Sequence, residues 1–178
     1  MKPWKGRTAD GTFAVEFHAS VLNTLDRHCH QAQSSETGGI LVGRYSDDLS
    51  LAIVLEATPP PPDSRRGYSW FVRGVNGLRD TLGERWRAEE RTYYVGEWHF
   101  HPVDHVEPSG DDFSQMREIS RAKDYDCREP LLLIVGVGKT EGQRPFRAFV
   151  CPADGMPLEL KAAVCESTTD GPRNGGSV

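Results

Sequence analysis

Two histidines one residue apart, His99 and His101, are followed by Ser109 and Asp112. This pattern, His-x-His, seven residues, Ser, two residues, Asp, constrains the fold more than any other stretch. Two imidazoles and one carboxylate are good zinc ligands, and three protein ligands leave a fourth position open, as catalytic zinc sites do. Gathering them requires a definite chain path. Side chains two apart on an extended segment point the same way, so His99 and His101 face one ion while Phe100 faces away. The preceding run Thr92–His99 reads as a strand, and Pro102–Pro108 is a loop long enough to turn the chain back. Asp112 then arrives near the start of a helix expected over about Gly110–Lys123. Ser109 suits the N-cap of that helix, with Asp112 as the capping-box acid three residues later. Beside a metal, the same hydroxyl is placed to stabilise an oxyanion.

The rest of the chain reads as a mixed set of elements. Thr12–Phe17 alternates as a short strand, and His18–Gln33 carries Val21, Leu22, Leu25 and Cys29 at helical spacing. Ser34–Gly39 reads as a break, and Ile40–Tyr45 and Leu51–Ala57 as a hairpin. Pro59–Arg66 opens with four prolines, which exclude helix or central strand and predict an extended, exposed loop. Tyr68–Val72 is expected to be a short strand, Val75–Glu90 a helix, Leu131–Val137 a buried strand and Phe146–Val150 its return, after a turn at 139–145. Without strict β-α-β alternation, this predicts one α/β domain of the α+β type, a mixed curved sheet flanked by helices. A chain of 178 residues has room for one such core. Residues 1–12 read as an N-terminal extension, 13–160 as the domain and 161–178 as a flexible polar tail.

Composition narrows the function classes. A net charge of −5 with no basic stripe argues against nucleic acid as the main partner. The apolar run Leu131–Val137 falls far short of the roughly 20 residues that span a bilayer. No apolar signal segment follows the basic start, so a cytoplasmic protein without membrane attachment is expected. Cys29, Cys127, Cys151 and Cys165 are scattered, with no Cys-x-x-Cys pair, and read as reduced thiols.

Metal-assisted hydrolysis also needs a carboxylate to take a proton from water and pass it to the leaving amine. Glu36, just before Thr37-Gly38-Gly39, stands at a helix-to-strand junction where glycines let backbones approach closely. Glu97 shares strand parity with His99 and His101 and so faces the same side. Other metal-like clusters are weaker. His28 and His30 on a helix point about 200° apart. His99 to His105 has one residue too many for the metallo-β-lactamase pattern, and His105-Val106-Glu107 lacks the Pro-Cys-x-x-Cys half of a zinc deaminase site.

Glu36 followed by Gly38-Gly39-x-Leu41-x-Gly43, together with His-x-His-x7-Ser-x2-Asp, resembles the JAMM signature of the JAB/MPN metalloprotease family, which includes deubiquitinases. The resemblance spans roughly residues 13 to 151. It implies a JAB/MPN-like (cytidine-deaminase-like) fold and one Zn2+ per chain held by His99, His101 and Asp112. It further implies Glu36 as general acid/base and Ser109 as oxyanion stabiliser. The chain departs from many family members at Phe100, where Ser or Thr is common, and at Glu97, where an aromatic residue is common. That leaves Glu97 as a supporting partner or a competing base, with Glu36 preferred.

The form Gly96-Glu97-Trp98-His99-x-His101-Pro102 is similar to a bacterial branch of the family. Its members are encoded beside activating-like and conjugating-like enzymes, often in antiphage defence operons. The resemblance implies an isopeptidase or peptidase cutting after the C-terminal tail of a ubiquitin-like protein or a conjugated nucleotidyltransferase. The alternatives are a protease that processes ubiquitin-like or sulfur-carrier precursors and a non-catalytic MPN-type binding module. The substrate tail is expected to lie against an edge strand at Ile40–Tyr45 and the Pro59–Arg66 loop.

Overall fold

A computed structural model describes residues 1–138 and 144–163. The elements run β1 (Trp4–Arg7), β2 (Ala14–Phe17), α1 (Ala19–Ala32), β3 (Thr37–Tyr45), β4 (Leu51–Ala57), β5 (Arg65–Arg66), β6 (Phe71–Val72) and α2 (Leu78–Arg87). They continue with β7 (Tyr93–Phe100), α3 (Gly110–Arg121), β8 (Leu131–Val135), β9 (Phe146–Val150) and β10 (Leu158–Ala162). The expected turn at 139–145 falls mostly outside the described residues, as do Cys165 and most of the expected tail.

The helices and mixed sheet are as expected, but the sheet is more than curved. Eight strands close into a barrel in the order β1-β10-β9-β8-β7-β3-β4-β2, and β5 and β6 form a separate two-stranded sheet. Closure comes from β1, which pairs antiparallel with both β2 and β10. It removes the two free edges that an open sheet would expose. Neither β1 nor β10 was expected. Trp4-Lys5-Gly6-Arg7 has no run of apolar alternation, so it enters the sheet largely through backbone pairing. Trp4 anchors it, its ring 5.8 Å from Phe17 and 5.2 Å from Phe146. The barrel therefore draws strand residues from both sides of the boundaries at 13 and 160.

The alternation of side chains builds two apolar layers. One face of the sheet, with Leu41, Val95, Trp98, Leu131 and Leu133, packs with Val21, Leu22, Leu25 and Cys29 of α1. The other, with Ile40, Val42, Tyr94, Leu132 and Ile134, packs against Met116 and Ile119 of α3. Cys29, Cys127 and Cys151 are free thiols buried in these layers.

Two corrections concern β3. The break expected at Ser34–Gly39 ends early, because the strand already begins at Thr37. Gly38 and Gly39 belong there because a Cβ on Gly38 would lie 2.5 Å from the Trp98 carbonyl, and one on Gly39 would lie 2.4 Å from the Thr58 carbonyl. Nor is Ile40–Tyr45 an edge: β3 is flanked by β4 and β7, so no substrate tail can add to it. The expected helix at Val75–Glu90 is shorter, Leu78–Arg87, and none of its residues is buried.

The site is positioned by one crossover. β7 and β8 run parallel, and parallel neighbours need a long connection. That connection carries α3, so the N-terminus of α3 returns beside the C-terminal end of β7.

Candidate active site

His99 is the penultimate residue of β7, and His101 follows the strand. Asp112 lies in the first turn of α3. Ligand atoms of these three residues lie within 4.8 Å of one another. His99 Nδ1 and Asp112 Oδ1 share a hydrogen bond of 2.5 Å, and His101 Nε2 is 3.6 Å from Asp112 Oδ2.

Asp112 is held by the start of its own helix. Ser109 is the N-cap, its hydroxyl accepting from Asp112 N–H at 3.0 Å, while Asp112 Oδ2 accepts from Ser109 N–H at 2.6 Å. The Ser109 hydroxyl also donates to Oδ2 at 2.7 Å. The capping box is thus the device that orients the carboxylate. Burial alone would raise the Asp112 pKa, but the hydrogen bond and charge of His99 and the bonds from Ser109 outweigh it and bring it down to about 2. Burial lowers the His101 pKa against the attraction of Asp112, favouring the neutral ring. An ionised carboxylate and a neutral imidazole are the forms that bind metal. Among the described residues, buried His99 Nε2 has no hydrogen-bond partner, an expensive state for a polar atom unless a ligand meets it. The donor set fits a divalent transition metal.

The two candidate bases differ sharply. Glu36 sits just before β3, half-buried, with its N–H donating to the Gly67 carbonyl at 2.8 Å. Burial, then the charge of Asp112, pushes its pKa up to about 7, with His99 opposing. It is therefore electrostatically coupled to the ligand cluster and titrates where a general base is useful. Glu97 does share the face of His99, as parity predicts. It is fully buried, however, and ion-paired to Arg73 at 2.7 Å, with a further hydrogen bond from Tyr94 OH at 3.1 Å. A carboxylate so engaged is not free to shuttle protons.

Several residues around the site were not singled out from the sequence. Phe71 of β6 sets its ring edge-on against His99, with centroids 5.8 Å apart. Gly38 leaves the space for this, since a Cβ there would lie 2.8 Å from both the His99 ring and the Phe71 ring. Arg73 follows β6 and reaches Glu97 and, through Nη2, Tyr125 OH at 2.6 Å. Only the glycines left a local trace; Arg73 and Glu97 are 24 residues apart. Beyond this network lies a cavity of about 670 Å³ lined by Ile40, Leu78, Leu82, Tyr94 and Tyr125 among others. The near-miss histidines lie elsewhere: His28 stacks on Trp98 at 5.9 Å, and His105 is exposed.

Comparison with known proteins agrees with this geometry. A family profile described as prokaryotic homologs of the JAB domain matches residues 18–151. A protein of Enterobacter hormaechei subsp. hoffmannii, named as a CD-NTase/cGAS isopeptidase, is 44% identical over 149 residues, covering 84% of this chain and 81% of that protein. A Pseudomonas aeruginosa protein of the same name is 35% identical over 129 residues, covering 71% and 80%. The solution structure of a Desulfitobacterium hafniense protein superposes with a TM-score of 0.54 at 19% identity, over 83% of this chain and 88% of that one, a likeness of fold alone.

Proposed function

Because this chain belongs to the family of prokaryotic JAB-domain homologues and is a hydrolytic JAMM-type isopeptidase, we propose that it releases conjugated CD-NTase by hydrolysing the amide bond after that protein's C-terminus. The observation that carries this reading is the convergence of His99, His101 and Asp112 beside Glu36.

In this reading His99, His101 and Asp112 hold one Zn2+, which suits two imidazoles and a carboxylate. When bound, zinc supplies Lewis acidity at the scissile carbonyl. Glu36 takes a proton from the attacking water and delivers it to the departing amine nitrogen. Its raised pKa suits both halves of that task, since the group must lose and regain a proton near neutrality. Ser109 turns its hydroxyl hydrogen, now on Asp112 Oδ2, toward the developing oxyanion. Phe71 covers one side of the His99 ring and limits water there. The reading also takes activating-like and conjugating-like enzymes as the source of the conjugate, and the cytoplasm as the place of reaction. Among the described residues no helix is long and apolar enough to cross a membrane.

The test uses purified protein and a CD-NTase joined through its C-terminus to a lysine side chain. Wild type is expected to carry about one Zn2+ per chain and to cleave the conjugate. Glu36→Gln is expected to keep the metal and lose roughly 10²- to 10⁴-fold in rate. A native protein that takes up no transition metal would end this reading.

A further inference from the structure

The short β5–β6 hairpin, outside the barrel, touches the site twice. Phe71 packs on His99, and the Gly67 carbonyl holds the backbone N–H of Glu36. One element thus contacts a metal-ligand candidate and the base candidate together. What seats the hairpin is therefore a functional question.

Its own base is tied to itself. Asp63 accepts from the N–H groups of Val75 and Asn76 at 3.0 Å, and Ser64 Oγ accepts from Gly74 N–H at 3.0 Å. These bonds close the loop without fastening it to the barrel. Among the described residues, the side-chain hydrogen bonds from 63–76 to the rest of the molecule all come from Arg73. Its Nε donates to Glu97 Oε2 at 2.7 Å, Nη1 to the Gly74 carbonyl at 2.9 Å and Nη2 to Tyr125 OH at 2.6 Å. Tyr94 OH completes the network on Glu97 Oε1. Both partners are withdrawn from water, with side chains 4% and 0% exposed. A planar guanidinium fixed at three points sets orientation as well as distance.

We propose that the buried Arg73–Glu97 ion pair is a latch that seats the β5–β6 hairpin over the metal-ligand cluster, making Arg73 a positioning residue for hydrolysis. Glu97 then serves as an anchor in the barrel wall two residues before His99, and not as a base. The kinetic part rests on the isopeptidase reading; the structural part does not.

The experiment compares zinc-loaded wild type, Arg73→Met, and a double variant, Arg73→Met with Glu97→Leu, which removes both charges and leaves none buried alone. Three readouts are taken: kcat at saturating conjugate, zinc per chain, and amide hydrogen exchange over residues 63–76. Misplacement by about an ångström costs on the order of 100-fold, so kcat should fall by about that much in any folded variant. Zinc should stay near one per chain. Exchange should speed up over 63–76 while that of β7 and α3 is unchanged. Wild-type kcat in a folded variant would overturn the proposal, as would unchanged exchange over 63–76. If Arg73→Met does not fold, the double variant decides. If wild type binds zinc but cleaves nothing, the isopeptidase reading fails, and exchange alone still decides the latch.

Discussion

The junction of β7 and α3 and the segment from β5 through α2 border the same site but are built in opposite ways. The first is specified locally. His99, His101, Ser109 and Asp112 fall within 14 residues of one another, and a strand end, a turn and a capping box bring them together. The second has little local support. The hairpin strands are two residues each, α2 buries none of its residues, and Tyr68, Trp70, Val72, Val75 and Trp86 are exposed. Its polar ties to the barrel are long-range: the buried Arg73–Glu97 pair spans 24 residues of sequence, and Arg85 of α2 reaches Glu56 of β4 across 29. The candidate-ligand side is thus held by contacts between near neighbours in sequence, and the covering side by a few non-local contacts. Elements that admit a substrate tend to come from such low-stability regions.

The largest effect belongs to the ligand side: His99→Ala should abolish metal retention and hydrolysis together, read by metal analysis and conjugate cleavage. A variant retaining one zinc per chain and full activity would remove His99 from the ligand set. Next, Glu97→Ala leaves Arg73 buried without its partner and should destabilise the fold by about 3–5 kcal/mol, measured by urea unfolding. A loss well under 1 kcal/mol would show the covering side to be held by something else.

Ser109→Ala should cost about 1 kcal/mol through loss of the N-cap, again by urea unfolding. It should also reduce hydrolysis if the hydroxyl meets the oxyanion; lost stability with unchanged kcat would leave Ser109 as a cap only.

The titrations of Asp112 and Glu36 in metal-free protein run in opposite directions. Asp112 has its folded pKa lowered from 3.8 to about 2, so its stabilisation is present above 3.8 and lost as pH falls through about 2. Glu36 is raised from 4.5 to about 7, so its protonated form contributes fully below 4.5 and that contribution is gone as pH rises through 7. Urea midpoints of metal-free protein should therefore carry a falling component from pH 4.5 to 7 that Glu36→Gln removes. The smallest effect is expected at Tyr68→Ala, an exposed side chain in the turn between β5 and β6, within about 0.5 kcal/mol.

Much of the ligand side was legible in the residues. Strand parity put His99 and His101 on one path, and the Ser109-to-Asp112 interval announced a helix cap, because both depend on neighbours a few residues away. Most central strands were legible for the same reason, since their apolar alternation is local. The closing strands were not: Trp4–Arg7 joins the barrel largely by backbone pairing, which leaves little mark on residue type outside proline. The status of Glu97 was also hidden. Parity gave its direction correctly, but its partner arrives from a loop, with no spacing to betray it.

Local residue order carries a set of donors and the path on which they return: two imidazoles at a strand end, then a capped helix bearing a carboxylate. It also carries the glycines at 38 and 39 that let backbones meet there. Only in the folded barrel does the sheet close, does β3 become interior, and does Glu97 lie buried against Arg73 while Glu36 stays half-buried. The reason is physical. Ligand convergence here follows from short-range backbone geometry. The availability of a carboxylate depends on burial and on which charge from a distant segment lies against it, and those are fixed only when the barrel and hairpin come together.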